Sequence, residues 1–91
     1  MTKHLYYSGN VQGVGFRYTA ARIAQRHHIG GYVRNLPDRR VEVMAQAGEL
    51  QLQSFLDELR ATMCEYISEI EQQTLSGDRA FGRKFEIVFQ D

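Results

Sequence analysis

Val11-Gln12-Gly13-Val14-Gly15-Phe16-Arg17 joins a segment of strand alternation to a segment of helical spacing, and its reading decides the fold. Upstream, His4 to Val11 places Leu5, Tyr7, Gly9 and Val11 on one face and His4, Tyr6, Ser8 and Asn10 on the other, the period of a strand. Downstream, Phe16, Ala20, Ile23 and Ala24 recur at helical spacing to about His27, with Arg22, Gln25 and Arg26 outward. Two glycines one residue apart let backbone N–H groups converge, because left-handed conformations cost glycine little. A helix N-terminus adds unpaired N–H groups and partial positive charge, and Arg17 adds a permanently charged planar fork. These parts make an anion cradle.

The remaining elements follow from the same periodicities. Gly30 and Gly31 are expected to end the first helix. Tyr32 to Asn35 and Val41 to Gln46 read as strands joined around Leu36-Pro37-Asp38-Arg39-Arg40, where Pro and Asp bring turn chemistry. Gly48 precedes a second helix carrying Leu52, Phe55, Leu56, Leu59 and Met63 at spacings of three and four. Tyr66 to Leu75 is weakly patterned and reads as a short extra edge strand; Ser76 to Asp78 reads as a turn. Phe85, Ile87 and Phe89 alternate as the closing strand. The order β-α-β-β-α-β predicts an α+β ferredoxin-like sandwich, an antiparallel sheet with two helices on one face.

Composition narrows the function classes. With 91 residues and a hydrophobic share of 43%, the chain is expected to be a single domain with a two-layer core. Eleven basic and eleven acidic residues cancel, so no long-range field recruits nucleic acid or an anionic membrane. The single cysteine, Cys64, cannot form an internal disulfide, and no apolar signal region or membrane span is visible. A cytoplasmic location is expected.

What the cradle lacks is equally telling. Phosphatases with a cysteine nucleophile carry it six residues before the arginine, and that position is Val11. No Gly-Lys-Ser/Thr follows, which disfavours a nucleoside-triphosphate loop. Water is the economical attacking group. Asn35 shares a face with Val33, a core position, so it is expected to point toward the helix layer near the cradle. Read alone, it is a turn-initiating residue before Leu36-Pro37; beside the loop it becomes a candidate for orienting water. A glycine-containing strand-to-helix turn by itself binds phosphate only in a minority of cases. Arg34 reads as a solvated sheet residue, His27 and His28 as helix end-caps, and Cys64 as a small packed hydrophobe. The three histidines lack metal-ligand spacing.

The cradle run, followed by Gly31-Tyr32-Val33-Arg34-Asn35 and a hairpin, resembles the acylphosphatase family in its common small form. The similarity extends through Val41-Glu42-Val43 and Phe85-Glu86-Ile87, over essentially the whole chain. It implies a family signature arginine at Arg17 and asparagine at Asn35, with Gln12, Gly13, Val14, Gly15, Phe16 and Arg17 forming the phosphate loop. It also implies hydrolysis of a small acyl phosphate without metal or cofactor. Inorganic phosphate would be product and inhibitor, and the chain would act as a monomer with no nucleic-acid or membrane partner. The glycine that commonly follows the hairpin aspartate is Arg39 here, so that turn is expected to take another shape. The glycine that often ends the first helix is His28. Two rivals share features: the acylphosphatase-like domain of larger hydrogenase-maturation carbamoyltransferases, and RNA-binding ferredoxin-like domains. For the latter, Arg83-Lys84-Phe85-Glu86-Ile87 is only a faint echo of the required basic aromatic strand.

Overall fold

The computed structural model describes residues 1–77 and 81–89. Its elements are β1 (Thr2–Gly9), α1 (Phe16–Arg26), β2 (Gly30–Asn35), β3 (Val41–Gln46), α2 (Glu49–Thr62), a 3₁₀ turn (Cys64–Tyr66), β4 (Ile67–Leu75) and β5 (Phe85–Val88). The five strands form one sheet in the order β4-β1-β3-β2-β5. The turn anticipated at Ser76 to Asp78 reaches beyond the described residues.

The ferredoxin-like α+β architecture stands, with two revisions to its strands. β4 pairs antiparallel with β1 along its length, so it is the closing strand of the β-α-β-β-α-β unit rather than an appendage. β5 is the addition. It lies beside β2 in parallel, with Gly31 opposite Phe85 and Val33 opposite Ile87, which makes the sheet mixed. Alternation in sequence reports which face a residue occupies and carries nothing about strand direction.

Register explains the core. Leu5 faces Val43 and Tyr7 faces Val41 across β1 and β3, and Val33 faces Val43 across β2 and β3. Residues directly opposite share a face, so this set lines the helix side. There it meets Phe16, Ala20, Ile23 and Ala24 of α1 and Leu52, Phe55, Leu56 and Leu59 of α2, all buried. Burying each large side chain stabilises the fold by roughly 1.5–3 kcal/mol.

The opposite parity forms the open face. Glu42 is almost wholly buried there, between His4 Nε2 at 2.5 Å and the guanidinium of Arg34. Arg34 is therefore a charge partner rather than a merely solvated residue, and removing it would leave a buried carboxylate under-compensated.

α1 does not stop at Gly30-Gly31. Its C-cap is His27, and His28 adopts φ 56°. The His28 N–H bonds Gln25 O at 3.3 Å and the Ile29 N–H bonds Ala24 O at 3.0 Å, the two bonds of a Schellman motif. The glycine pair instead opens β2, where a Cβ on Gly31 would lie 1.8 Å from Met44 O. Glycine is needed there for close strand approach.

Candidate active site

β1 ends at a register shift between Ser8 and Gly9, and the chain then turns sharply into α1. Gly13 and Gly15 both adopt φ 80°, and Gly15 is the N-cap of α1. A Cβ at either position would meet nothing within 4 Å, so backbone conformation, not crowding, selects glycine. Among the described residues no acceptor engages the N–H groups from Gln12 to Tyr18. The first turn of any helix leaves such donors, and the loop extends the run upstream.

The Gln12 side chain fixes that loop. Its Nε2 donates to Leu36 O and to Arg40 O, both at 2.9 Å, tying the cradle to the β2–β3 hairpin. The hairpin closes through Leu36 N–H to Arg40 O at 2.8 Å, and Asp38 Oδ1 accepts the Arg40 N–H at 3.1 Å. That backbone hydrogen bond, with the Arg40 side chain adding to it, holds the Asp38 carboxyl below its usual range. Arg39 sits at φ 78°. The turn thus keeps the left-handed residue that glycine would supply, contrary to the expectation of another shape.

Val11, Gly13, Gly15, Phe16, Arg17, Tyr18 and Asn35 line one cavity of about 100 Å³. Asn35 pairs with Val41 and so lies on the helix side of the sheet, as its parity with Val33 predicts. Its carboxamide has no hydrogen-bond partner among the described residues, and neither has the Arg17 guanidinium. Among the described residues no carboxylate lines the cavity, so the charge they bring favours an anion. Of the loop residues named from sequence, Gln12 turns its side chain to the hairpin and Val14 packs on the core.

Two aromatic residues at the rim were not read as part of this cavity. The Arg17 guanidinium lies 5.0 Å from the centre of the Phe89 ring, and Tyr18 lies 6.3 Å from the same ring. Phe89 was anticipated as a strand residue, but it falls just past β5 and is 61% exposed. No local pattern links residue 89 to residue 17; the contact exists because β5 runs parallel to β2 toward the cradle.

The other candidates fall elsewhere. His27 caps the C-terminus of α1, as its position in sequence suggests, and its Nε2 also lies 2.8 Å from Glu58 Oε1, tying α1 to α2. Cys64 is exposed, not packed. No group of three His, Cys, Asp or Glu side chains able to hold a metal ion occurs among the described residues, and no described helix is long and apolar enough to cross a membrane.

The acylphosphatase family profile matches residues 3–87. The chain belongs to the acylphosphatase family. The Lactobacillus gasseri acylphosphatase is 38% identical over 84 residues, covering 90% of this chain and 91% of that one. The Archaeoglobus fulgidus acylphosphatase is 53% identical over 57 residues, covering 63% of this chain and 64% of its own length. In three dimensions, the crystal structure of the Bacillus subtilis acylphosphatase superposes with a TM-score of 0.83 at 32% identity, covering 96% of this chain and 97% of that one.

Proposed function

We propose that the amides from Gln12 to Arg17, with the Arg17 guanidinium, hold the phosphoryl group of a small acyl phosphate while Asn35 orients the water that cleaves it. The reaction, an acyl phosphate plus water giving a carboxylate and inorganic phosphate, comes with membership of the family. The observation that supports these roles is the shared cavity: a guanidinium and a carboxamide with no hydrogen-bond partner among the described residues, beside a run of amides likewise unpaired.

The chemistry suits those groups. A carboxylate departs as a stable anion and needs no proton, which accounts for a site whose described residues include no Asp, Glu or His. Phosphoryl transfer passes through a loose transition state with charge on the peripheral oxygens, so positioning and electrostatics carry it. The amides and Arg17 meet that charge; losing one such preorganised donor costs about 3–4 kcal/mol of barrier. Asn35, held at the end of β2, presents its amide where water attacks in line, a proximity effect. A carboxylate there would repel the substrate. Cytoplasmic, monomeric action by a single domain completes this reading; the free Cys64 suits a reducing compartment.

The test separates the two roles. With benzoyl phosphate and excess chelator, Arg17→Ala abolishes turnover and phosphate inhibition together. Arg17→Lys remains severely impaired, because a point charge does not replace the fork. Asn35→Ala lowers kcat by about 100-fold or more while phosphate inhibition survives. Equal loss of phosphate inhibition in the Asn35 variant, or a requirement for magnesium, refutes the assignment.

A further inference from the structure

A second cavity, of about 250 Å³, opens between α2 and the β1–β4 edge, with no residue in common with the cradle. Leu5, Leu56 and Ile70 give it an apolar wall, and Arg60 and Gln72 stand at its rim. Tyr7 also lines it. That residue is only 1% exposed, yet its hydroxyl has no hydrogen-bond partner among the described residues. The hydroxyl is not sealed in either, since no buried side-chain polar atom is left unpaired among the described residues, so the little surface Tyr7 keeps includes its oxygen. Burial drives the phenol far above its ordinary pKa despite the nearby Arg60 charge, so the group stays protonated and presents a donor. Arg60 has no acidic partner among the described residues; its neighbour Asp57 instead accepts from Gln53 Nε2 at 2.8 Å.

A donor and a cation beside an apolar wall call for an anionic acceptor attached to an apolar body. The Asp57 charge on the same helix face disfavours a polyanion. We propose that this cavity is a binding site for a small amphipathic monocarboxylate, its carboxylate between the Tyr7 hydroxyl and Arg60 and its chain against Leu5, Leu56 and Ile70. The proposal stands independently of the roles given to Arg17 and Asn35. Asp57 and Gln53 form the outer rim, and Phe16, whose ring centre lies 5.0 Å from that of Tyr7, separates the cavity from the cradle.

The test titrates hexanoate into the full chain and follows the methyl resonances of Leu5, Leu56 and Ile70 by NMR, with and without saturating inorganic phosphate. Saturable shifts in those methyls, unchanged by phosphate, are expected. Arg60→Gln should weaken hexanoate by about tenfold, since hydrogen bonds to charged groups are the stronger ones. Tyr7→Phe keeps the ring and its packing on Phe16, and should weaken binding by about fivefold. Hexan-1-ol, with the same chain and no charge, should bind at least about tenfold more weakly. Absence of saturable shifts, hexanol binding as well as hexanoate, indifference to Arg60→Gln, or displacement by phosphate would each overturn the proposal.

Discussion

Arg17 gains a neighbour that no motif contains. The Phe89 ring 5.0 Å from its guanidinium carbon offers a negative face that holds the charge near the cavity rim. An exposed pair of this kind contributes about 0.5–1 kcal/mol. Phe89→Leu is therefore expected to weaken inhibition by inorganic phosphate about two- to fivefold. The variant should leave urea stability nearly unchanged, because Phe89 is exposed; an unaltered inhibition constant would show that the ring does not orient the arginine. Arg39 raises the opposite matter, a side chain where the backbone favours none. Its φ of 78° costs a non-glycine residue about 1–2 kcal/mol. Glycine there relieves the strain and gives back part of the gain through a freer unfolded chain. Arg39→Gly is expected to raise the unfolding free energy by a net of about 0.5–1 kcal/mol, read as a higher urea midpoint at unchanged m-value. A lower midpoint would mean that the arginine side chain contributes more than its backbone loses.

At the scale of elements, α1 is held at both ends by groups that sequence periodicity does not report. Its start is tied through Gln12 to the hairpin carbonyls, and its last turn is tied to α2 through Glu58. Glu58 receives hydrogen bonds from His27 and Arg26, which hold its carboxyl below the ordinary range, the His27 bond contributing most. A carboxyl whose folded pKa is depressed stabilises the fold fully above the range where the unfolded group titrates. That contribution fades as pH falls through the depressed folded value. Wild type should therefore melt above Glu58→Gln at pH 7, and the gap should close as the pH is lowered through the carboxylate range to about 3. A gap that stays constant down to that pH would show that the carboxylate's charge plays no part in holding the helices together. The exit of α1 shows why boundaries misread. Gly30-Gly31 looks like a helix stop, but the stop is His28 in a left-handed conformation, and the glycines serve the strand contact that follows. Histidine signals positive φ far more weakly than glycine, so only the resemblance, which sets a helix-ending glycine at His28, pointed to this turn.

Across the whole molecule, what was legible is what depends on local periodicity. The two helices, the β2–β3 hairpin and the meeting of Arg17 with Asn35 all follow from apolar spacing and strand parity. Placement of the last two strands does not, because an edge is chosen by tertiary packing. β4 reads weakly since its outward positions are largely exposed and only Ile67, Ile70 and Leu75 are half-buried. β5 has the sharper alternation and yet is the peripheral strand, four residues long and paired on one side only. Cys64 was misjudged for a related reason: the helix it seemed to finish ends at Thr62, and the following 3₁₀ turn carries it outward. The arrangement predicts an order of local opening. β1 and β3 are flanked on both sides, and Val41, Val43 and Ala45 of β3 are fully buried, so their amides should exchange only by global unfolding. β5 contributes Phe85 and Ile87 to the margin of the core, with Phe85 meeting Phe55 at 5.9 Å, but it can leave without breaking the four-stranded unit. Its amides should therefore exchange by a sub-global opening, at least about tenfold faster than those of β3 in native-state hydrogen exchange. Because Phe89 follows β5 directly, that opening would also release Arg17 from its ring, so inorganic phosphate bound at the cradle should slow β5 exchange more than β4 exchange. Equal slowing of both edges would separate the cradle from the fifth strand and leave β5 as packing alone.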